Sequence, residues 1–303
     1  MRYYFAPMEG LTDSIYRRLH HKHFGGVDRY YMPFLSPTIH RSLTHKEDRE
    51  LPISDSEAFT AIPQLLTKVP EDFLWAAQVC MDRGYAEVNL NAGCPSGTVV
   101  SKGKGSGMLR DPAQLDALLD LIFSRCPVSI SIKTRLGLEN AEEFPQILEV
   151  FNRYPIKELT VHPRVRKDFY KEPVRPEWFV YALENSKNPL CYNGDIHSKA
   201  DADACTCVDA VMIGRGLIAD PGMLTPGGTT IPKLEAFLTD LLETYTQVFG
   251  GSRNAMFRMK ENWGLLHSRF DGGDKLWKRL LKTTDIAEYK AITTEILHTL
   301  PLK

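Results

Sequence analysis

The sequence lacks any long apolar run. Its 303 residues are 43% hydrophobic, an ordinary share for a folded chain. No stretch approaches the roughly 18 consecutive apolar residues of a membrane span. The first segment reaches Pro7 before an apolar region could become long enough for a signal peptide. We therefore expect a cytoplasmic protein that does not act in a membrane.

Cysteine is scarce and poorly arranged for metal binding. The six cysteines include no pair with C-x-x-C spacing. The only close pair is Cys205 and Cys207, and it lacks the histidine or second cysteine pair that a zinc site requires. We expect no metal site.

The dinucleotide-binding fingerprint is also missing. The first predicted strand is followed by Met8-Glu9-Gly10-Leu11-Thr12-Asp13 and not by a G-x-G-x-x-G turn. Eight short apolar segments alternate with amphipathic helices, which favours an α/β protein built on a closed (β/α)8 TIM barrel. An open, doubly wound sheet is the alternative. The predicted strands span residues 3–7, 29–32, 61–65, 86–91, 128–133, 158–162, 189–193 and 210–214.

The composition changes after the last predicted strand. Residues 220–228 are rich in proline and glycine and predict a linker, and only helical patterns follow. We therefore divide the chain into a catalytic barrel of residues 1–228 and a C-terminal helical bundle of residues 229–303.

Positive charge is concentrated in this C-terminal part. Residues 251–282 carry eight basic and three acidic side chains, a net charge of +5, whereas the whole chain has a net charge of −1. This concentration favours a polyanion-binding surface, although a solvated helix face gives the same pattern. Trp263, Phe270 and Trp277 lie among these charges, and their helical spacing favours a bundle core over stacking on bases.

The stretch from Asn89 to Thr98 carries the strongest chemical signal. Cys94 lies between Gly93 and Pro95, directly after a predicted strand, and the segment 101–107, rich in lysine and glycine, follows it. This setting is not a core pattern, so it favours a reactive thiol over a buried structural cysteine. We expect the segment 101–107 to be a flexible loop that becomes ordered over a ligand.

Polar residues end three of the predicted strands. Asn91, Lys133 and His162 have the register opposite to that of their apolar neighbours, so all three should point into the barrel. An amide, an ammonium and an imidazole at a barrel mouth predict a polar ligand, with satisfied core polar groups as the alternative at each position.

Two glycine turns predict a phosphate site. Residues 193–195, Asn-Gly-Asp, follow the seventh predicted strand, and residues 214–216, Gly-Arg-Gly, follow the eighth. Loops after these two strands commonly bind phosphate through backbone amides, and Arg215 adds a fork of cationic donors. The two turns together favour a phosphorylated cofactor.

These motifs resemble those of the tRNA-dihydrouridine synthases, FMN-containing barrels with a C-terminal helical domain. The most specific match is Asn91-Ala92-Gly93-Cys94-Pro95, which fits the family pattern N-x-G-C-P. The similarity extends from Ala6 through Arg215 and, less specifically, into the C-terminal part. Further matches are Pro63-Gln64-Leu65, Lys133-Thr134-Arg135, residues 161–166 with Tyr170, and both glycine turns.

The resemblance implies a role for each matching residue. Cys94 would be the catalytic residue. The residues implied to bind FMN are Pro7, Met8, Gln64, Lys133, His162, Asn193, Gly194, Asp195, Gly214 and Arg215. The residues expected to contact tRNA are Asn91, Lys102, Arg164, Arg166, Tyr170, Arg258, Lys260, Lys278 and Arg279.

The implied reaction is the NADPH-driven reduction of the C5=C6 bond of a uridine in tRNA by a monomeric enzyme. FMN would deliver hydride from N5 to C6, and Cys94 would donate a proton to C5. A thiol with an ordinary pKa of about 8.5 is mostly protonated at neutral pH, which suits this acid. Lys133 would stabilise the anionic reduced flavin.

Two other functions are compatible with parts of the pattern. A flavin barrel similar to dihydroorotate dehydrogenase would act on a small pyrimidine, but the basic C-terminal part argues against it. A non-catalytic tRNA-binding module would leave Asn91, Lys133 and His162 without a purpose. Two departures from the family, Thr98 near a position that is often lysine and Asp168 in place of a frequent glutamine, affect substrate contacts and not the cofactor.

Overall fold

One parallel sheet contains all eight predicted strands. The computed structural model describes every residue from Met1 to Lys303. Its strands are β1 (Arg2–Phe5), β2 (Arg29–Tyr31), β3 (Ala61–Ile62), β4 (Gln64–Leu65), β5 (Glu87–Ala92), β6 (Ser129–Arg135), β7 (Leu159–His162), β8 (Leu190–Asn193) and β9 (Ala210–Ile213). The ninth strand arises because Pro63, which has no N–H, divides the third predicted strand into β3 and β4.

The sheet closes at this divided strand. Its order is β3-β2-β1-β9-β8-β7-β6-β5-β4, so the two ends of the order are consecutive pieces of one segment. The Met32 amide donates to the Ile62 carbonyl at 2.9 Å on one side, and the Asn89 amide donates to the Pro63 carbonyl at 2.8 Å on the other. The TIM-barrel prediction is confirmed, and the open, doubly wound alternative is excluded.

Helices follow most strands and form the whole C-terminal part. They are α1 (Ser14–His23), α2 (His45–Glu50), α3 (Pro70–Asp82), α4 (Gly97–Val100), α5 (Pro112–Arg125), α6 (Phe144–Phe151), α7 (Pro176–Asn185), α8 (Lys199–Asp203), α9 (Arg215–Ala219), α10 (Ile231–Val248), α11 (Ser252–Leu266), α12 (Asp274–Lys282) and α13 (Ile286–Thr299). Proline lies in the first turn of α3, α5, α6, α7 and α10, where its missing N–H removes no helical hydrogen bond. None of these helices has the length and hydropathy needed to cross a bilayer.

Strand alternation separates the main core from the barrel interior. Val88 and Leu90 of β5 and Ile132 of β6 are fully buried in one apolar cluster with Leu119 of α5 and Phe151 of α6. Their polar neighbours along the strands have the opposite parity and point into the barrel. The predicted division between helix-facing apolar residues and inward polar residues is therefore correct.

The chain divides into two compact units. The first consists of Met1–Pro7, Asp28–Asp195 and Asp203–Met212, and the second of Met8–Val27, Ile196–Ala202 and Ile213–Lys303. Within the second unit, the rings of Tyr16 and Phe24 lie 5.4 and 5.3 Å from the ring of Phe237, which attaches α1 to α10. The second unit thus groups α1 with the C-terminal helices, and the domain boundary between residues 228 and 229 stays a prediction.

Aromatic residues build the core of the second unit. Trp263 is fully buried and donates from Nε1 to the Tyr289 hydroxyl at 3.1 Å, and Phe270 is also buried. Trp277 stacks on His267 at a centroid distance of 4.9 Å. Trp263 and Phe270 are therefore core residues, as their helical spacing predicts.

Candidate active site

The strand register places the polar residues of β5, β6 and β7 side by side. Asn91 of β5 is in register with Lys133 of β6, and Lys133 is in register with Thr160 of β7. His162 lies one inward position further along β7, in register with Arg135. The predicted group of amide, ammonium and imidazole therefore lies at the carboxyl ends of three adjacent strands.

A chain of buried amides connects the barrel interior to the Cys94 backbone. Asn89 donates to the Ser131 hydroxyl at 3.0 Å, Gln64 donates to Asn89 at 2.8 Å, and Asn91 donates to Gln64 at 2.8 Å. The Asn91 carbonyl oxygen then accepts from the Cys94 amide at 2.9 Å. Each link uses a specific nitrogen or oxygen, so the amide orientations depend on one another and fix the start of the Cys94 segment.

Residues 105–107 of the segment predicted to be a flexible loop are packed, whereas Ser101 and Lys102 are exposed. Ser106 donates to the Cys94 carbonyl from its amide at 3.1 Å and from its hydroxyl at 2.9 Å. Gly105 has φ +57°, and a Cβ at this position would lie 2.9 Å from the Cys94 Cβ. Residues 105–110 form a short 3-10 helix with Gly105 to Leu109 buried. The glycines thus allow close packing against Cys94 and do not produce an unstructured loop.

Lys133 is a partly buried lysine inside the barrel with an amide partner. Its Nζ donates to Asn193 Oδ1 at 2.7 Å, and Asn193 Nδ2 donates to the Met212 carbonyl at 2.7 Å. Burial, assisted by the positive charge of Arg135, lowers the pKa of Lys133 to about 7. An anionic group next to Lys133 would favour its charged form.

Arg164 sets the tautomer of His162. Arg164 Nη1 lies 2.9 Å from His162 Nε2, and a guanidinium can only donate, so Nε2 accepts and Nδ1 carries the proton. The other Arg164 donors reach Asp195 and, at 2.6 Å, the Glu172 carbonyl. Arg164 is only 2% exposed and these donors orient His162 and Asp195, so its predicted contact with tRNA stays a prediction.

The first glycine turn passes close to His162. Gly194 has φ +145°, and a Cβ there would lie 2.7 Å from Val174 Cγ1 and 3.3 Å from His162 Cδ2. Only glycine fits this position, which brings the backbone next to the imidazole.

The other predicted cofactor residues lie around β1 and β9. Pro7 follows β1 in the first unit, and Met8 begins the second, where the Met8 amide donates to the Thr12 hydroxyl at 2.9 Å. Gly214 and Arg215 belong to the second unit, where Gly214 caps the start of α9.

Arg135 is a buried structural cation whose role was not predicted from the sequence. It is 2% exposed and donates to the Val165 carbonyl at 2.9 Å and the Phe169 carbonyl at 2.8 Å. Its guanidinium also lies 5.2 Å from the centre of the Tyr170 ring. Arg135 directly follows Lys133-Thr134 in the matched motif and has the same inward parity along β6 as Lys133. This parity is the sequence signal that points to Arg135 as a residue of the barrel interior.

Asp168 also stabilises the loop that follows β7. It accepts from the Val165 amide at 2.9 Å and forms an ion pair with Arg175. Burial alone would raise the pKa of Asp168, but the donors from Arg175 and Val165 lower it overall. The aspartate at this position, a departure from the family pattern, therefore forms part of the loop's internal structure.

The predicted RNA contacts of the C-terminal part divide into exposed and buried residues. Lys278 and Arg279 are exposed, with Arg279 at 3.4 Å from Glu295. Arg258 instead forms an ion pair with buried Asp13 at 2.7 Å. Lys260 is 6% exposed and donates to the carbonyls at the end of α12. Arg258 and Lys260 therefore have structural partners within this unit, and their predicted contact with tRNA stays a prediction.

The remaining predicted RNA contacts lie near the Cys94 segment. Lys102 is exposed and Tyr170 is 48% exposed. Arg166 is partly buried and donates from Nε to the Pro95 carbonyl at 3.3 Å, which joins the loop after β7 to the segment containing Cys94. These three residues and Cys94 all belong to the first unit.

Comparison with known proteins gives consistent matches over most of the chain. The family model described as dihydrouridine synthase matches residues 4–271. A probable tRNA-dihydrouridine synthase 1 of Synechocystis sp. is 28% identical, with 98% of this chain and 86% of the relative covered. A tRNA-dihydrouridine(16) synthase of Neisseria meningitidis serogroup B is 25% identical, with 97% and 94% covered.

Solved structures share the fold at low identity. A variant of NCR from Zymomonas mobilis has a TM-score of 0.51 and 14% identity, with 73% of this chain and 83% of that chain covered. The likeness supports the barrel architecture.

Proposed function

This chain belongs to the dihydrouridine synthase family, and we propose that it reduces the C5=C6 bond of a uridine in tRNA with FMN and NADPH. Family membership makes it an oxidoreductase that acts on a uridine ring. The names of its Synechocystis and Neisseria relatives support tRNA as the substrate.

The position of Cys94 carries this proposal. The Asn91 oxygen holds the amide of Cys94 and Ser106 holds its carbonyl, directly after β5 and beside the strand that carries Lys133. A thiol fixed on both sides of its backbone next to a cationic barrel mouth is suited to donate a proton to a bound ring.

The barrel residues fit an anionic, hydrogen-bonding cofactor. Lys133 is partly buried beside a neutral amide, desolvation lowers its pKa to about 7, and an added negative charge next to it would favour its charged form. His162 carries its proton on Nδ1, and the Gly194 turn leaves no room for a side chain next to the imidazole. FMN, when bound, supplies the hydride for C6 of the uracil.

FMN would be held by the residues that the family resemblance implies. Lys133 would supply a positive charge for the flavin ring, and Gln64 an amide whose direction is fixed by Asn89 and Asn91. The remaining members of this set are Pro7, Met8, His162, Asn193, Gly194, Asp195, Gly214 and Arg215.

Cys94 would complete the reduction. A proton passes from its thiol to C5, so that C5 and C6 each gain one hydrogen while the ring double bond is lost. The uridine must leave its stacked position to reach this thiol, at a cost of a few kcal/mol. The exposed Lys102, Lys278 and Arg279 would offset part of this cost through contacts with phosphates.

Reconstitution with tRNA tests the proposed function. The purified protein should show the visible absorption of a flavin, alone or after incubation with FMN. With NADPH and unmodified tRNA it should form dihydrouridine, detected by mass spectrometry of the digested RNA. A colourless protein that cannot take up FMN would rule out the enzyme, and turnover of orotate-type substrates alone would rule out tRNA.

A further inference from the structure

Phe169 has a backbone conformation that is unfavourable for its side chain. Its φ of 49° and ψ of −102° lie in a region that glycine adopts easily and a side chain with a Cβ does not. The Lys171 amide donates to the Asp168 carbonyl at 2.9 Å, so Phe169 is the second residue of a tight turn. Strain of this kind persists where the surrounding structure imposes it.

Buried groups impose this turn. Arg135, which is itself 2% exposed, donates to the Phe169 carbonyl at 2.8 Å, and the Phe169 amide donates to the Arg166 carbonyl at 3.2 Å. Asp168 is fixed by Arg175 and the Val165 amide. The backbone of Phe169 is therefore held by contacts on both sides of the turn.

The strained residue presents an aromatic ring to solvent. Phe169 is 38% exposed although hydrogen bonds fix its backbone. The residue therefore combines an unfavourable backbone conformation with an aromatic ring that is not buried. Burial of the ring in a core cannot explain this position. Strain combined with an exposed aromatic ring indicates a ligand that contacts the ring.

The surroundings of the ring indicate the chemistry of that ligand. The Arg166 guanidinium lies 5.3 Å from the ring centre, and the same side chain donates to the Pro95 carbonyl next to Cys94. Lys167 and Lys171 on either side of the turn are exposed. An aromatic face bordered by cations fits a nucleobase with its phosphates.

We propose that Phe169 and Arg166 form a stacking surface for the nucleobase next to the target uridine. The ring replaces the neighbour that this base loses when the uridine turns out of the stack. The assignment rests on the proposed function, because the neighbouring base is defined by the uridine that Cys94 protonates. It assigns a role to Phe169, which none of the matched motifs includes.

Substitutions at Phe169 separate the ring from the strained backbone. Phe169→Leu removes the aromatic face, and Phe169→Gly also relieves the backbone strain. Both should weaken tRNA binding about 5- to 150-fold, the range expected for loss of one base–aromatic stack. Phe169→Tyr and Phe169→Trp should stay within threefold of the wild type. Leu121→Ala is the control, since Leu121 is 40% exposed on α5 of the same unit.

Three measurements distinguish the possible results. Fluorescence anisotropy with labelled, unmodified tRNA gives Kd without NADPH. Steady-state kinetics gives KM for tRNA, and stopped-flow absorbance gives the rate of flavin reduction by NADPH. We expect weaker binding and a higher KM for the Leu and Gly variants, with flavin reduction by NADPH unchanged. Binding by Phe169→Leu within twofold of Leu121→Ala would overturn the proposal, as would an equal loss in the Tyr and Trp variants.

The outcome is separable from the proposed function. If the wild type binds tRNA but forms no dihydrouridine, the proposed function fails, while an aromatic requirement at Phe169 in the anisotropy measurement still supports the stacking surface.

Discussion

The barrel interior and the C-terminal helices use polar residues in opposite ways. In the barrel, Asn89, Gln64 and Asn91 are buried, and their hydrogen bonds form a chain that ends at the Cys94 amide. In the C-terminal helices, partly buried Arg258 forms an ion pair with Asp13 and buried Lys260 donates to backbone carbonyls, while Lys278 and Arg279 remain in solvent. Buried polarity thus organises a site in one region and only stabilises the fold in the other.

Among the substitutions that test this comparison, loss of Arg258 should have the largest effect on the free energy of unfolding. Arg258→Met should destabilise the protein by about 3–5 kcal/mol, because it leaves the Asp13 carboxylate buried and unpaired. Arg279→Met removes an exposed pair with Glu295 and should cost less than about 1 kcal/mol. Urea unfolding of both variants measures the difference. Equal free energies of unfolding would contradict the division into structural and surface cations.

Breaking the amide chain should affect both stability and activity. Asn89→Leu leaves Gln64 and Ser131 without their partner, at a cost of about 1–3 kcal/mol. It should also slow tRNA reduction about tenfold or more, since Asn91 then no longer holds Cys94 in one position. Ser131→Ala removes only the link furthest from Cys94 and is the milder control. An unchanged rate in Asn89→Leu would show that the chain does not position the thiol.

Lys133 gives a pH-dependent test of how a polar residue in the barrel interior affects stability. The pKa of about 7 in the folded protein lies below the ordinary value of 10.5, so unfolding takes up a proton between these values. Stability should therefore rise with pH across this window, by at most about 1.4 kcal/mol per pH unit. In flavin-free protein, Lys133→Met should be more stable than the wild type below pH 7 and equal to it above pH 10.5. Thermal unfolding at several pH values checks this, and a pH-independent difference would refute it.

Charge reversal on α12 has the smallest expected effect. Lys278→Glu with Arg279→Glu should weaken tRNA binding a few-fold to about tenfold at moderate salt, and less at high salt, because both side chains are exposed. Flavin reduction by NADPH should not change. Unaltered tRNA affinity at moderate salt would remove the C-terminal helices from the RNA-binding surface.

The sequence predicted the barrel because alternation is a local property. The parity of Val88 and Leu90 against Asn89 and Asn91 predicted which residues face the helices and which face the barrel. The position of Cys94 at the strand end followed from the same pattern.

The errors concern features that depend on distant partners. Gly105 reads as a flexible residue, but its lack of a Cβ permits packing on Cys94. Arg164 and Lys260 read as surface cations, but His162, Asp195 and backbone carbonyls bury them. Sequence alone does not show such partners, because they come from other parts of the chain.

Separation of the two half-reactions in Cys94→Ala tests the central claim most directly. Stopped-flow absorbance follows flavin reduction by NADPH and then flavin reoxidation by tRNA, with Cys126→Ala as a control for loss of another partly buried thiol. We expect unchanged flavin content and unchanged reduction, with reoxidation by tRNA slowed about 10²- to 10⁴-fold. Loss of flavin, or reoxidation at the wild-type rate, would contradict the assignment of Cys94 as the proton donor.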